Sequence, residues 1–360
     1  MNQFTTQTDF TGALAATADT GADPRGASEH RPLRLGFLGT GWIGRHRMQK
    51  ILETGVAEAV VVSDPSEDMA REALALAPDA RRVERLDEML SMDLDGVVIA
   101  TPSAQHAEQS IRVLQAGKAV FCQKPLGRTA GEVQAVVDAA RAADRLLSVD
   151  FSYRFTNGMR QIRDLIRGGA LGSVFAADLV FHNAYGPDKP WFYDKAQSGG
   201  GCVIDLGVHL VDAALWSLGF PAVSRVASRL MSGGQLISGD SDRIEDYAIA
   251  TLDLESGATV RLACSWRLPA GQDAVISASF YGSGGGASLS NVDGSFYDFK
   301  TERFSGTTRE TLSSPPEDWG GRAAADWARR LQTGEGYDPE ADRLVDVADI
   351  LDRIYARHRD

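Results

Sequence analysis

Leu33-Arg34-Leu35-Gly36-Phe37-Leu38-Gly39-Thr40-Gly41-Trp42-Ile43-Gly44 decides how the first part of this chain folds. A short apolar run closed by glycine reads as a buried strand. The three glycines then stand at the spacing GxGxxG, between that strand and a helix at Ile43–Glu53. In such a turn the first glycine allows the tight bend. The second lets the backbone approach a pyrophosphate, and the third lets helix and strand pack closely. The helix start offers free N–H groups and a positive dipole end to phosphate. Asp64 ends the next strand, about 20 residues on, where a carboxylate meets the ribose hydroxyls of a dinucleotide. It would repel a 2′-phosphate, so NAD is favoured over NADP. Arg45 and Arg47, on the first helix, are the residues that point the other way.

The same texture continues outward from this turn. Strands at Ala57–Ser63, Arg82–Val83, Gly96–Ala100, Ala119–Cys122 and Leu146–Val149 alternate with helices at Glu67–Leu76, Ala104–Ala116 and from Thr129 to about Ala142. Alternating strands and helices predict a doubly wound parallel sheet, here over residues 32–150. After Asp150 the pattern changes. Helices are expected at Gly158–Arg167 and Ile204–Leu218, and a strand at Val174–Phe181. Glycine-punctuated strands follow at Ala222–Arg229, Asp246–Leu254, Ala258–Trp266, Ala274–Tyr281 and Ala287–Ser290. Short turns between neighbouring strands predict an antiparallel sheet. Two helices close the chain, Arg322–Gln332 and one capped by Asp338 with Pro339 in its first turn, running to Arg357. Residues 151–360 thus read as an α+β domain. Residues 1–31 carry no apolar periodicity and read as a flexible arm.

Three further segments carry chemistry. Thr101-Pro102-Ser103-Ala104-Gln105-His106 follows a strand and opens a helix, where parallel sheets bind ligands. Thr101, Pro102 and His106 can therefore line the cofactor cleft; a helix-capping Ser103 with an exposed His106 is the bland reading of the same residues. Cys122-Gln123-Lys124-Pro125 ends a strand, and the proline holds Lys124 out of helical conformation. Lys124, with Gln123 before it, then points toward the cofactor cleft; a surface lysine in a turn is the bland reading of the same residues. Finally, Gly199-Gly200-Gly201-Cys202-Val203-Ile204-Asp205-Leu206-Gly207-Val208-His209 runs three glycines into an almost wholly apolar helix. Asp205, His209 and Asp212 recur at helical spacing and share a face, which Trp216 continues. Ionisable groups on so apolar a helix are costly unless paired or used. Histidine suits proton transfer near neutral pH, and a carboxylate one turn away can orient it. A purely structural His–Asp pair is the alternative.

On these motifs, with Tyr153-Arg154-Phe155, the chain from Leu33 to Arg357 resembles the Gfo/Idh/MocA oxidoreductases, the glucose–fructose oxidoreductase and inositol dehydrogenase family. The resemblance implies a Rossmann domain followed by a domain with a large open, mostly antiparallel sheet. It implies that Lys124, Asp205 and His209 surround a substrate at the nicotinamide, and that homodimers or homotetramers form through the open sheet. One departure stands out: the family usually has EKP where this chain has Gln123-Lys124-Pro125. The glutamate's role does not carry over to Gln123.

The expected activity is hydride transfer between NAD and a carbinol carbon of a sugar, polyol or related hydroxy compound. His209, oriented by Asp205, or Lys124 acts as the base. Gly39, Gly41, Trp42, Ile43, Gly44, Asp64, Thr101, Pro102, His106, Gln123, Lys124 and Arg154 are the expected cofactor residues. Tyr153, His182, Asn183, Tyr185, Trp191 and Tyr193 join Lys124, Asp205 and His209 at the substrate. Two rival readings share these residues: a glycosidase that uses NAD in a transient oxidation, and a non-catalytic NAD sensor. Composition narrows the classes. The 360 residues carry a formal net charge of -12 with 37 Lys+Arg, which disfavours a nucleic-acid partner. No apolar run is expected to reach the roughly 18–20 residues of a membrane span. Cys122, Cys202 and Cys264 form neither a disulfide framework nor a zinc site, and no metal is expected; a cytoplasmic, reducing location fits.

Overall fold

The computed structural model describes residues 31–238 and 241–356. The arm at 1–31 therefore falls, except for Arg31, outside the described residues, as does the predicted helix end at Arg357.

The first sheet has six strands: β1 (Leu33–Leu38), β2 (Ala57–Ser63), β3 (Arg81–Arg82), β4 (Gly96–Ile99), β5 (Ala119–Cys122) and β6 (Leu147–Val149). Their order is β3-β2-β1-β4-β5-β6 and every pair is parallel. That order reverses direction between β1 and β4, where doubly wound sheets bind dinucleotides. Helices α1 (Trp42–Leu52), α2 (Glu67–Leu76), α3 (Leu86–Leu90), α4 (Ser103–Gln115) and α5 (Ala130–Ala143) connect the strands. The central strands are buried on both faces, as continuous apolar runs require.

Beyond the first sheet, α6 (Asn157–Arg167) leads into β7 (Val174–Asn183). A short turn α7 (Lys195–Ser198) and the apolar helix α8 (Val208–Leu218) follow. The remaining strands are β8 (Val223–Ser232), β9 (Gln235–Ile237), β10 (Tyr247–Leu254), β11 (Thr259–Ser265), β12 (Ala274–Gly282), β13 (Gly285–Asn291), β14 (Phe299–Ser305) and β15 (Thr308–Ser313). With β7 they form one nine-stranded sheet in the order β15-β14-β13-β12-β7-β11-β10-β8-β9. All pairs are antiparallel except β7 with β11. One face is buried in alternation: Ala248, Ala250, Leu252 and Leu254 on β10, and Ala177, Leu179 and Phe181 on β7.

Several elements differ from the sequence reading. The strands β9, β14 and β15 were not expected, because Gln235–Ile237 is very short and Phe299–Ser313 is rich in Lys, Thr, Glu and Arg. Its outer strand is largely exposed, so no apolar alternation marks it. The helix expected at Ile204–Leu218 is two pieces, a π-helical turn Val203–Gly207 and then α8. The stretch Lys195–Leu218 corrects the expectation of no membrane-length apolar segment: by length and composition it qualifies, but 83% of its apolar window is buried inside the fold.

The closing helices α9 (Arg322–Gln332) and α10 (Arg343–Ile354) return to the body of the molecule. Ala323, Ala324, Trp327 and Ala328 of α9 share one apolar cluster with Leu35, Phe37, Val98 and Phe121 of the first sheet. The Phe121 and Trp327 rings lie 5.8 Å apart. Gly96 leaves room for that ring, since a Cβ there would stand 3.0 Å from it and the ring would have to shift. By packing, α9 thus covers the first sheet, although it follows the second in the chain.

Candidate active site

The glycine turn has the geometry its spacing predicts. Gly39 adopts φ +83°, and a Cβ on it would stand 2.5 Å from the Ala100 carbonyl oxygen. A Cβ on Gly44 would stand 2.1 Å from the Gly39 carbonyl oxygen. A Cβ on Gly41 would meet nothing within 4 Å, so the protein itself does not demand that glycine. Gly41 caps α1 without a side-chain hydrogen bond, which leaves helix N–H groups to an anion. Trp42 starts α1, is exposed and stacks on His46; Ile43 follows it in the first turn. Asp64 accepts from the Thr40 amide at 2.7 Å and from the Ser66 amide at 2.9 Å, which fixes its carboxylate beside the turn. The two arginines that pointed towards a 2′-phosphate are committed elsewhere. Arg45 pairs with Glu72 at 2.7 Å, and Arg47 is buried against Asp150 at 2.6 Å.

At the end of β4, Pro102 rather than Ser103 precedes the first turn of α4, without a side-chain cap. The Thr101 hydroxyl donates to Gln109 at 2.6 Å. His106 is buried, and its ring nitrogens face the carbonyls of Thr101 and Pro125, each at 2.6 Å. Burial lowers its pKa, against the pull of those two carbonyls. His106 therefore ties the end of β4 to the Lys124-Pro125 turn and is not the exposed helical residue of the bland reading.

Lys124 leaves the end of β5 and meets Asp205. Its Nζ donates to Asp205 Oδ1 and to the Asp205 carbonyl, each at 2.7 Å. Trp266 Nε1 donates to Asp205 Oδ2 at 3.0 Å. An ammonium has three protons and no acceptor, so one proton of Lys124 is left for a ligand. Both side chains are mostly covered, at 18% and 16% exposure.

This corrects the expected Asp205–His209 pair. Four residues apart in an α-helix would align them, but Asp205 sits in the π turn, whose wider hydrogen-bond spacing shifts it off that register. The turn starts where the Gly199–Gly201 loop enters the core. Glu245 holds it there, accepting from the Gly201 amide at 2.8 Å, the Val203 amide at 3.0 Å and the Tyr355 hydroxyl at 2.5 Å. A Cβ on Gly201 would stand 2.0 Å from the Glu245 carbonyl oxygen. Burial pushes the Glu245 pKa up, and those three donors oppose it.

His209 opens α8 and packs edge-on against Tyr153, ring centroids 5.1 Å apart. No hydrogen bond to its ring occurs among the described residues. Desolvation, then the charges of Lys124 and Arg47, hold its pKa well below 6.5. The imidazole is thus neutral at physiological pH. Tyr153 is the hub of an aromatic cluster with Phe181, Phe299 and Trp319. Burial raises its hydroxyl pKa.

Several expected residues lie elsewhere. Arg154 does not join the cofactor turn. It is bidentate to buried Asp212, with Nε at 3.1 and 2.9 Å from the two carboxylate oxygens. It lines a cavity of about 420 Å³ with Arg163, Trp216 and Asp326 that contains none of Lys124, Asp205 and His209. Asp212 and Trp216 keep their helical spacing from His209 on α8, but Asp212 is held by Arg154 and Trp216 lines that cavity. His182 faces away from Tyr153, because strand alternation gives Phe181 that side; His182 bonds Ser265 at 2.8 Å and stacks on Tyr247. Asn183 accepts from the Tyr185 amide, and Tyr185 donates to Asp273. Tyr193 packs on Trp266 at 5.6 Å, while Trp191 stacks on Phe192, which also touches Trp266. These last two therefore border Asp205 through Trp266. Trp266, Glu245 and Asp150 were missed by sequence reasoning, since each lies in an ordinary strand end or loop with no local motif.

Comparison with known proteins bears on the same residues. Residues 33–151 match the model of an oxidoreductase family with an NAD-binding Rossmann fold, and residues 159–288 match a Gfo/Idh/MocA C-terminal domain. The chain is 29% identical to the D-glucoside 3-dehydrogenase of Escherichia coli (strain K12), over 74% of this chain and 79% of that one. It is 30% identical to an inositol 2-dehydrogenase of Rhizobium meliloti (strain 1021), over 72% and 76%. Among solved structures it is similar to a levoglucosan dehydrogenase in complex with NADH and levoglucosan. That likeness has a TM-score of 0.78 at 20% identity and covers 91% of this chain and 98% of that one.

Proposed function

The chain belongs to the Gfo/Idh/MocA oxidoreductase family, and we propose that it moves a hydride between NAD and a carbinol carbon of a sugar or polyol, using Lys124 and His209. The observation that carries this reading is the Lys124–Asp205–Trp266 arrangement, with a buried His209 whose ring makes no hydrogen bond among the described residues and whose pKa burial lowers. NAD, when bound, accepts or returns the hydride. The open space at Gly41 and the uncapped start of α1 fit its pyrophosphate, and Asp64 fits its ribose. Asp205 occupies two protons of Lys124 and directs the third to the substrate oxygen, where it stabilises developing negative charge. In oxidation His209 takes the hydroxyl proton as the carbon gives up its hydride, and a carbonyl results. Tyr153 and the Trp266 cluster supply apolar faces to a sugar ring.

Residues 32–150 would then serve as the cofactor domain and 151–360 as the substrate and assembly domain, with α9 packed back on the first. The face of the nine-stranded sheet that carries Val180, Ile249, Ala263 and Val275 suits a contact between subunits in a homodimer or homotetramer. The buried thiols of Cys202 and Cys264, 3.8 Å apart and not joined in a disulfide, suit a reducing cytoplasm. The test is a panel of myo-inositol, methyl glucosides, levoglucosan and other sugars, with NAD and with NADP, read by reduced-cofactor absorbance. NAD-linked turnover of a panel member supports the reading; tight NAD binding with no turnover of any panel sugar or polyol opposes it.

A further inference from the structure

The residue before Lys124 is neutral in this chain, yet a carboxylate stands beside it. Gln123 is buried, and its Nε2 donates to Asp150 Oδ2. Asp150 is 1% exposed and ends the neighbouring strand, where its amide donates to the Cys122 carbonyl at 2.9 Å. The same Oδ2 accepts from Arg47 Nε at 2.6 Å, and Oδ1 accepts from the Ser152 hydroxyl at 2.7 Å. Arg47 in turn reaches Ser152 at 3.2 Å and His46 at 2.7 Å. One buried carboxylate therefore links α1, the end of β5 and the end of β6, at the residue next to Lys124 in the chain. Arg47 also acts on the reacting region, since its charge helps keep His209 neutral.

We propose that Asp150 is a positioning residue for Lys124, acting through Gln123, and that it supplies the negative charge position 123 lacks. Resting on the catalytic reading of Lys124, this explains why a glutamine is suited to position 123. Its amide donates where a glutamate could only accept. A glutamate there would set two carboxylates in contact in a buried site holding one guanidinium, and like charges at that distance repel strongly. Removing Asp150 alone would instead strand a buried guanidinium. The carboxylate is thus movable between 123 and 150 but neither doubled nor deleted.

The experiment is a double-mutant cycle of Gln123→Glu, Asp150→Ala and the pair. It reads kcat and KM for the best substrate of the panel, NADH affinity by fluorescence, and melting temperature. Each single change should lower kcat by about tenfold or more, with KM and NADH affinity changing far less, and should lower the melting temperature. The pair should recover at least about tenfold in kcat over Asp150→Ala, and most of the melting temperature. A pair no faster than its slower single, or an Asp150→Ala enzyme with wild-type kcat, overturns the proposal. Should Asp150→Ala fail to fold, a folded and active pair supports it and an unfolded pair overturns it. Lys124→Ala is measured alongside. If it turns over normally, the catalytic reading and this proposal both fall; if it is dead and the pair shows no recovery, only this proposal falls.

Discussion

At the scale of single residues, two charges carry the proposed chemistry. Asp64 is anchored by two backbone amides, and Arg45 pairs with Glu72, so among the described residues this turn shows no free cation for a 2′-phosphate. Wild-type enzyme should prefer NAD, and Asp64→Ala should lower kcat/KM for NAD while raising the NADP to NAD ratio; an unchanged ratio would remove Asp64 from cofactor choice. The second charge is the one His209 does not carry. Its folded pKa lies well below the unfolded value of about 6.5, so below about pH 6.5 the unfolded chain binds a proton that the native state refuses. Stability should therefore fall as pH drops below about 6.5, and less so in His209→Phe, as melting temperatures across that range would reveal. Much of the site was legible in sequence at this scale, because Lys124, Asp205 and His209 stand in motifs whose chemistry is local. Their partners were not. Trp266 and Asp150 reach the site only through the fold, and Arg154 looked like a cofactor residue until Asp212, 58 positions away, claimed it.

At the scale of elements, the π turn matters most. A periodicity of 3.6 aligned Asp205 with His209, but Val203–Gly207 winds more widely and hands Asp205 to Lys124. Such irregularity leaves no mark in apolar spacing, so the element was recognised and its phase was not. Glu245 holds the entry to this turn by two backbone amides. Glu245→Ala should thus lower kcat by about tenfold or more through a misplaced Asp205, since small misplacements of a reacting group are costly. NADH affinity should be retained; full activity would show that the loop holds itself. The glycine turn gives a paired expectation. Gly44→Ala should disrupt the packing of α1 and lower both melting temperature and NAD affinity. Gly41→Ala, placed in open space, should weaken NAD binding alone.

At the scale of the whole molecule, alternating strands and helices announced the first sheet, and glycine-punctuated strands announced the second. What chain order concealed is that α9 crosses back. Trp327 is fully buried against Phe121 and Gly96 of the first sheet. Trp327→Ala should cost about 3–5 kcal/mol, the usual range for an aromatic core truncation, and should impair NAD binding although it lies far along the chain. An unperturbed melting curve would separate α9 from that core. The two sheets thus bring Lys124 from one and Trp266 from the other to Asp205, and the central claim is that this junction performs the hydride transfer. Its most direct test compares Lys124→Ala and His209→Ala with wild type, by kcat on the best substrate and by NADH affinity. Each variant should lose at least about 100-fold in kcat, the scale of positioned acid–base help, with NADH affinity nearly unchanged. Near-normal turnover in both variants would contradict that claim.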